Sequence, residues 1–202
     1  MGSVTPAYSR NLRRAVLFVA LANLGYFFVE FSVARHIGSV SLFADSIDFL
    51  EDTAVNLLVF FALAWSARRR ARVGMLLAAL LLVPAVAALW TAWQKLNLPA
   101  APDPGLLTLT GGGALAVNLC CALLLARHRK DAGSLAKAAF FSARNDAFAN
   151  VGIIAAGLVT LLWVSGWPDL LVGLGIAAMN ADAAREIWET ARSESAHGAR
   201  RA

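Results

Sequence analysis

Apolar residues in this chain come in long blocks, and polar residues mark the seams between them. Crossing about 30 Å of hydrocarbon takes about 20 predominantly apolar residues. Six blocks reach that length: 15–34, 41–65, 73–93, 106–126, 138–164 and 169–188. The pattern predicts an all-α fold, a polytopic membrane protein with a six-transmembrane-helix bundle over residues 13–190. A segment at 1–12 precedes it and a short polar tail at 191–202 follows. The seams are short: ARHIGS joins helices one and two, and SGWP joins helices five and six. The three prolines of QKLNLPAAPDPG suit an extended connector between helices three and four.

One stretch breaks the apolar rule. FADSIDFLEDTAVN, residues 43–56, places Asp45, Asp48, Glu51 and Asp52 inside a predicted span. At the helical repeat, Asp45, Asp48, Asp52 and Asn56 fall within about 80° of one another, and Glu51 flanks them. Helix five carries a related pattern. EDTAVN at 51–56 and NDAFAN at 145–150 both read Asp-x-x-x-Asn after a polar residue. The polar stripe of helix five is Ser142, Asn145, Asp146 and Asn150. In a six-helix topology these two helices cross in opposite directions, and matched polar interruptions in inverted halves point to a transporter's midplane site.

Composition agrees with the pattern. The chain is 59% hydrophobic and 15% charged, with a mean hydropathy of +0.63, too few polar residues to cover a soluble domain. Arg10, Arg13 and Arg14 precede the first block, as in a signal peptide. Its apolar core is too long for one and no clear cleavage site follows, so the block is read as a retained helix. A net charge of +5 and a pI near 9.9 would suggest nucleic acid in a soluble protein. Here, if both termini share one side, that side receives fifteen lysines and arginines, and the other only Arg35 and Lys95. The bias places both termini in the cytoplasm of a multi-pass inner-membrane protein, with no nucleic-acid partner.

Cys120 and Cys121 are helix neighbours that cannot readily bridge, and they read as packing residues. Gly111–Gly113 reads as a site of close helix approach and Asn118 as a helix–helix contact. His36, His128 and His197 sit at helix ends or in the tail and read as solvated. The chain has no phosphate loop, no HExxH, and no Ser/His or Cys/His pair at membrane depth. Neither an enzyme nor a prosthetic group is expected.

The acids are costly where they stand. A carboxylate at the bilayer centre costs about 2.5–3.5 kcal/mol, so two or three cost on the order of 5–10 kcal/mol. Such groups persist when something pairs with them. Arg144 is the one basic residue well inside a span, and the acids outnumber it, which makes an external cation or a proton the missing partner. A divalent metal fits. Asp48 and Asp52, one turn apart, supply two oxygens, Asp146 a third, and Ser142 a fourth. Protonating the same carboxylates would release the metal, a direct route to proton exchange. Asp45, Glu51, Asn145, Asn56, Asn150 and Glu30 stand behind these four as supporting groups or a proton path. The competing reading is a protonated, hydrogen-bonded helix contact with no metal. For Glu30 a structural hydrogen bond competes equally with a proton relay.

At these residues the chain resembles the cation diffusion facilitator family of divalent-metal/proton antiporters. The carriers are VEFSVARHIGSVSLFADSIDFLEDTAVN (29–56) and SARNDAFANVGIIAAG (142–157). The family's helix-two pattern is Ser-Leu-x-x-x-Ala-Asp-x-x-[His/Asp]-x-x-x-Asp, which SLFADSIDFLED fills with a shorter spacer between Leu42 and Ala44. In helix five Asp146 fills the second position of [His/Asp]-x-x-x-Asp, and Ser142 stands in the first. The resemblance implies export of a divalent cation (Zn, Co, Cd, Fe or Mn) from the cytoplasm in exchange for protons, with the metal as transported substrate. The implied partners are the metal, protons, the bilayer and possible pairing into a homodimer. Ser142, in place of His or Asp, leaves an oxygen-only site that shifts preference from strict zinc toward Mn²⁺, Fe²⁺, Co²⁺ or Cd²⁺. The expected form lacks the family's cytoplasmic C-terminal domain and its histidine-rich loop. The alternative is a non-transporting interaction subunit that keeps the fold around a degenerate site.

Overall fold

A single glycine turns the first helix into the second. Helix α1 (Arg10–Ile37) ends where Gly38 takes a left-handed φ of 66°, a conformation open to a residue without Cβ. The Ser39 amide then donates back to the Ala34 carbonyl at 3.0 Å, closing the helix end. Ser39 also opens helix α2 (Val40–Ala62): its hydroxyl oxygen accepts the Leu42 amide at 3.1 Å, the bond of an N-cap. The sequence IGS thus acts as one stop and one start.

The computed structural model describes residues 10–62, 86, 89–96, 100–127, 134–179, 182 and 185, with the backbone alone at 10, 12, 59 and 134–145. Helix α3 covers 89–96. Helix α4 (Pro104–Arg127) starts on Asp103, whose carboxylate accepts the Leu106 amide at 2.7 Å. Pro104 fills the first helical position, where its missing N–H is no loss. Helices α5 (Ser134–Leu162) and α6 (Trp167–Met179) complete an all-helical chain, and no strand occurs among the described residues. Each predicted span overlaps one of these helices. The third is described only at its outer end, and 73–85 lie outside the described residues.

Helix α1 lies along α2 and α4 along α5, while α4 also rests on α1; α2 touches α5 and α4 more lightly. The core gathers Leu42, Phe43 and Ile47 of α2, Leu107 of α4, Ile153 of α5 and Ile176 of α6. Asn23, Glu30, Asp45, Asn118, Asn150 and Asp169 are buried with them. The outer surface carries Leu109, Leu123, Phe148 and Leu162, the last 92% exposed. Polar groups inside and large apolar groups outside is the arrangement hydrocarbon demands. Trp90, Trp93, Trp163 and Trp167 are exposed near one end of the bundle, where amphipathic rings favour the headgroup level. The close approach expected at Gly111–Gly113 is present: Gly111 backs onto Ile153 and Gly113 onto the Tyr26 ring. Cys120 and Cys121 are both free, one exposed and one buried.

The third residue of α6 fastens it to the start of α2. The fully buried Asp169 carboxylate accepts the Ser39 and Ser41 hydroxyls, each at 2.6 Å. It also accepts the amides of Val40 at 2.8 Å and Ser41 at 3.1 Å. A carboxylate here meets unpaired amides and the positive end of the helix dipole together. Lys95 approaches the same carboxylate at 3.8 Å. Burial pulls the Lys95 ammonium below the usual lysine range, and Asp169 opposes that pull.

One turn along α6, Gly173 presses on the same place. A Cβ there would lie 2.8 Å from both the Ser41 nitrogen and the Val40 carbonyl carbon, backbone atoms that cannot swing aside. Gly173→Ala is expected to destabilise the protein by about 1–3 kcal/mol, read as an earlier thermal unfolding transition in detergent. An unchanged transition would mean that α6 can shift off α2 freely.

Candidate functional site

Helices α1 and α2 run antiparallel, and three contacts share one register. Asn23 faces Asp52, with its amide nitrogen 3.5 Å from the Asp52 carboxylate. The Tyr26 and Phe49 rings meet with centroids 5.0 Å apart. Glu30 faces Asp45, within hydrogen-bonding reach. Thr53 helps hold the register, its hydroxyl donating to Phe49 at 2.7 Å and reaching the Ala20 carbonyl at 3.3 Å. Asp45 and Asp52 therefore stand seven residues apart along α2, about 10 Å at 1.5 Å per residue.

This geometry divides the acidic stripe expected on α2. Asp45 turns to α1 and is fully buried against it. Asp48 is half-buried and feels the charge of Asp146, across on α5, more than that of any other acid. Asp52 joins both groups, meeting Asn23 of α1 and repelling Asp146 of α5. Glu51 is half-buried beside them. Asp146 is half-buried, so α5 presents its carboxylate to two turns of α2. Ser142 and Asn145 stand on the helical backbone of α5, but their side chains lie outside the described residues, as does that of Arg144. Among the described residues, no three His, Cys, Asp or Glu side chains close into a metal cage.

The repeated Asp-x-x-x-Asn has a structural counterpart. The Asn56 amide donates to the backbone carbonyl of Asp52 at 2.8 Å, and the Asn150 amide to that of Asp146 at 2.7 Å. In each helix the asparagine bonds the turn below it and leaves the aspartate carboxylate for other contacts. The Asn150 side-chain oxygen is buried with no hydrogen-bond partner. The two helices thus share a local device as well as a motif.

Two groups that matter to this region were not among the residues expected from the pattern. Asn23 looks in sequence like any lone polar residue in a span, and its bond to Asp52 depends on the α1–α2 register. Asp169 opens a helix after Trp-Pro, which reads as a local cap. It instead caps a different helix.

The transmembrane domain of cation efflux proteins, as a family model, matches residues 16–194. The match takes in α1 from residue 16 and all of α2 to α6, and with them every candidate site residue. No curated protein matches the chain.

Proposed function

The chain belongs to the cation efflux family of membrane transporters, which move metal cations, and on that premise we propose a proton-coupled exporter of a divalent cation. Asp48, Asp52 and Asp146 supply its binding oxygens, and Ser142 lines or completes the set. The observation that supports this is the convergence of α2 and α5: two carboxylates one turn apart on one helix, repelled by a third on the other. Three carboxyls drawn together from α2 and α5 would, once ionised, favour a doubly charged guest, because the guest offsets both their desolvation and their repulsion. An all-oxygen set suits Mn²⁺, Fe²⁺, Co²⁺ or Cd²⁺ as well as Zn²⁺. Glu51, Asn56, Asn145 and Asn150 support these carboxylates from neighbouring turns. The seat is the inner membrane, with both termini cytoplasmic, and a homodimer is compatible with this assignment.

The test is uptake of Zn²⁺, Cd²⁺, Co²⁺, Fe²⁺ and Mn²⁺ into liposomes under an imposed pH gradient, comparing the protein with Asp146→Ala. Gradient-dependent flux of at least one metal is expected, falling by about 100-fold or more in the variant, at or above the roughly 10–100-fold that loss of a group merely supporting a ligand costs. No flux of any metal from folded protein would overturn the assignment and favour an interaction subunit with Ser142 at a degenerate site.

A further inference from the structure

The carboxyls of Glu30 and Asp45 are both fully buried. All four of their oxygens lie without a hydrogen-bond partner, although the two groups are within reach of each other. Two carboxylates can only accept, so as anions they cannot bond to one another. One proton between them makes the pair Glu30–COOH···⁻OOC–Asp45, satisfies an oxygen on each side and halves the buried charge. A metal ion fits poorly here. A hard cation takes six or more oxygens, and no other side chain among the described residues bonds to either carboxyl.

The surroundings set the pair apart from the residues assigned to the metal. On α1, Tyr26 stands one turn below Glu30, but its hydroxyl is committed to the Thr110 carbonyl at 2.6 Å. On α2, Asp48, Glu51 and Asp52 lie toward the other end of the helix, and no hydrogen bond joins Asp45 to Asp48. Asp146 is the acid that faces them from α5. Helix α4 carries no charged side chain before Arg127. On α6, Asp169 is engaged by Ser39, Ser41 and Lys95. The other carboxylates are therefore sources of repulsion, and no described cation neutralises the pair.

We propose that Glu30 and Asp45 form a dedicated proton-binding pair, about one helical turn along α2 from Asp48 and two from Asp52, which holds one proton and exchanges it in step with metal occupancy of the α2–α5 site. This rests on the transport assignment above. The step moves a proton only: it leaves the shared O–H···O bond as a dication arrives nearby, and returns from solvent when the dication leaves. The dication favours the doubly ionised pair by charge, while burial favours the singly protonated one. The same proton thereby links the two sites.

Three readouts on Glu30→Gln and Asp45→Asn test the proposal. Metal affinity, by calorimetry on detergent-solubilised protein, is expected to stay within about threefold of the parent. Protons released on metal binding, counted in weakly buffered solution, are expected to fall by about one. Stimulation of flux by a pH gradient is expected to fall by about tenfold, within the 5–150-fold range usual for coupled sites. The double exchange Glu30→Asp/Asp45→Glu keeps two carboxyls and should keep proton release, which separates proton binding from mere packing. Metal transport with unchanged proton release in both single variants would overturn the proposal while leaving the transport assignment standing. If the parent protein moves no metal, infrared spectra decide independently. A carboxylic-acid C=O band at neutral pH that weakens in both single variants supports the pair, and an unchanged band overturns it.

Discussion

Asp48→Asn should make the metal-free protein more stable and at the same time blind to metal. The side chain sits inside a span where a carboxylate costs about 2.5–3.5 kcal/mol, and it is repelled by Asp146 and by Asp45. Replacing it with a neutral amide of the same shape removes both penalties. An increase of about 1–3 kcal/mol in apo stability follows, seen as a later unfolding transition in detergent. The parent protein, given metal at a hundred times its dissociation constant, gains about 2.7 kcal/mol from binding. The variant should gain almost none. A structural acid would behave oppositely: its loss would lower stability and leave the metal response intact. The sign of the apo change therefore separates a binding carboxylate from a structural one. It also expresses the stability that a functional site gives up.

Asp169→Ala should be the most damaging single change among the described residues. It strips four hydrogen-bond donors of their acceptor at once, the Ser39 and Ser41 hydroxyls and the Val40 and Ser41 amides, and leaves Lys95 without its counter-ion. Removing one partner from a buried charged network costs about 3–5 kcal/mol, enough to consume much of a typical stability of about 5–15 kcal/mol. Hydrogen exchange should localise the damage, with the Val40 and Ser41 amides losing protection first. Asp169→Asn should fall between, because it keeps one acceptor oxygen but turns an N–H₂ toward donors. Lys95→Met should cost less than about 1 kcal/mol, as its partner is 3.8 Å away and keeps its four short bonds. Protection at Val40 and Ser41 that survives in Asp169→Ala would mean that water replaces the carboxylate there.

These two aspartates differ in how visible they are from the chain alone. Asp48 announces itself: an acid in an apolar block, one turn from Asp52, on the face shared with Asn56. The same logic picks out Asp146, because Asp-x-x-x-Asn recurs in helix five. Asp169 has no such pattern around it. Its value comes from α6 arriving at the first turn of α2, more than a hundred residues away in the chain, and from Gly173 letting the backbones close to contact.

The stripe on α2 shows where sequence reasoning stops. Helical periodicity places Asp45, Asp48, Asp52 and Asn56 on one side of α2, and that is correct as far as one helix goes. A stripe about 80° wide is broad enough to be shared between two neighbours. The register against α1 takes Asp45 and leaves Asp48 to α5, and Asp52 meets both. Three acids that read as one group are divided: Asp45 pairs with Glu30, and Asp48 and Asp52 form a separate set with Asp146. Asn56 and Asn150, expected as supporting groups or a proton path, donate back to their own helices.

The all-helical membrane bundle and its short turns follow from the residues alone. Backbone groups in hydrocarbon must bond within their own helix, and a run of about 20 apolar residues has few other ways to do so. The start of α2 and the start of α4 follow too, because Gly38-Ser39 and Asp103-Pro104 act on their immediate neighbours. The partner of each buried carboxylate does not follow. Helices in lipid meet through a few close contacts between small and polar groups rather than through a continuous hydrophobic seam. Rotating or sliding one helix by a single turn would keep every local rule and reassign every acid. Only the packed structure decides that Glu30 lies against Asp45, Asn23 against Asp52, and Asp169 against the first turn of α2.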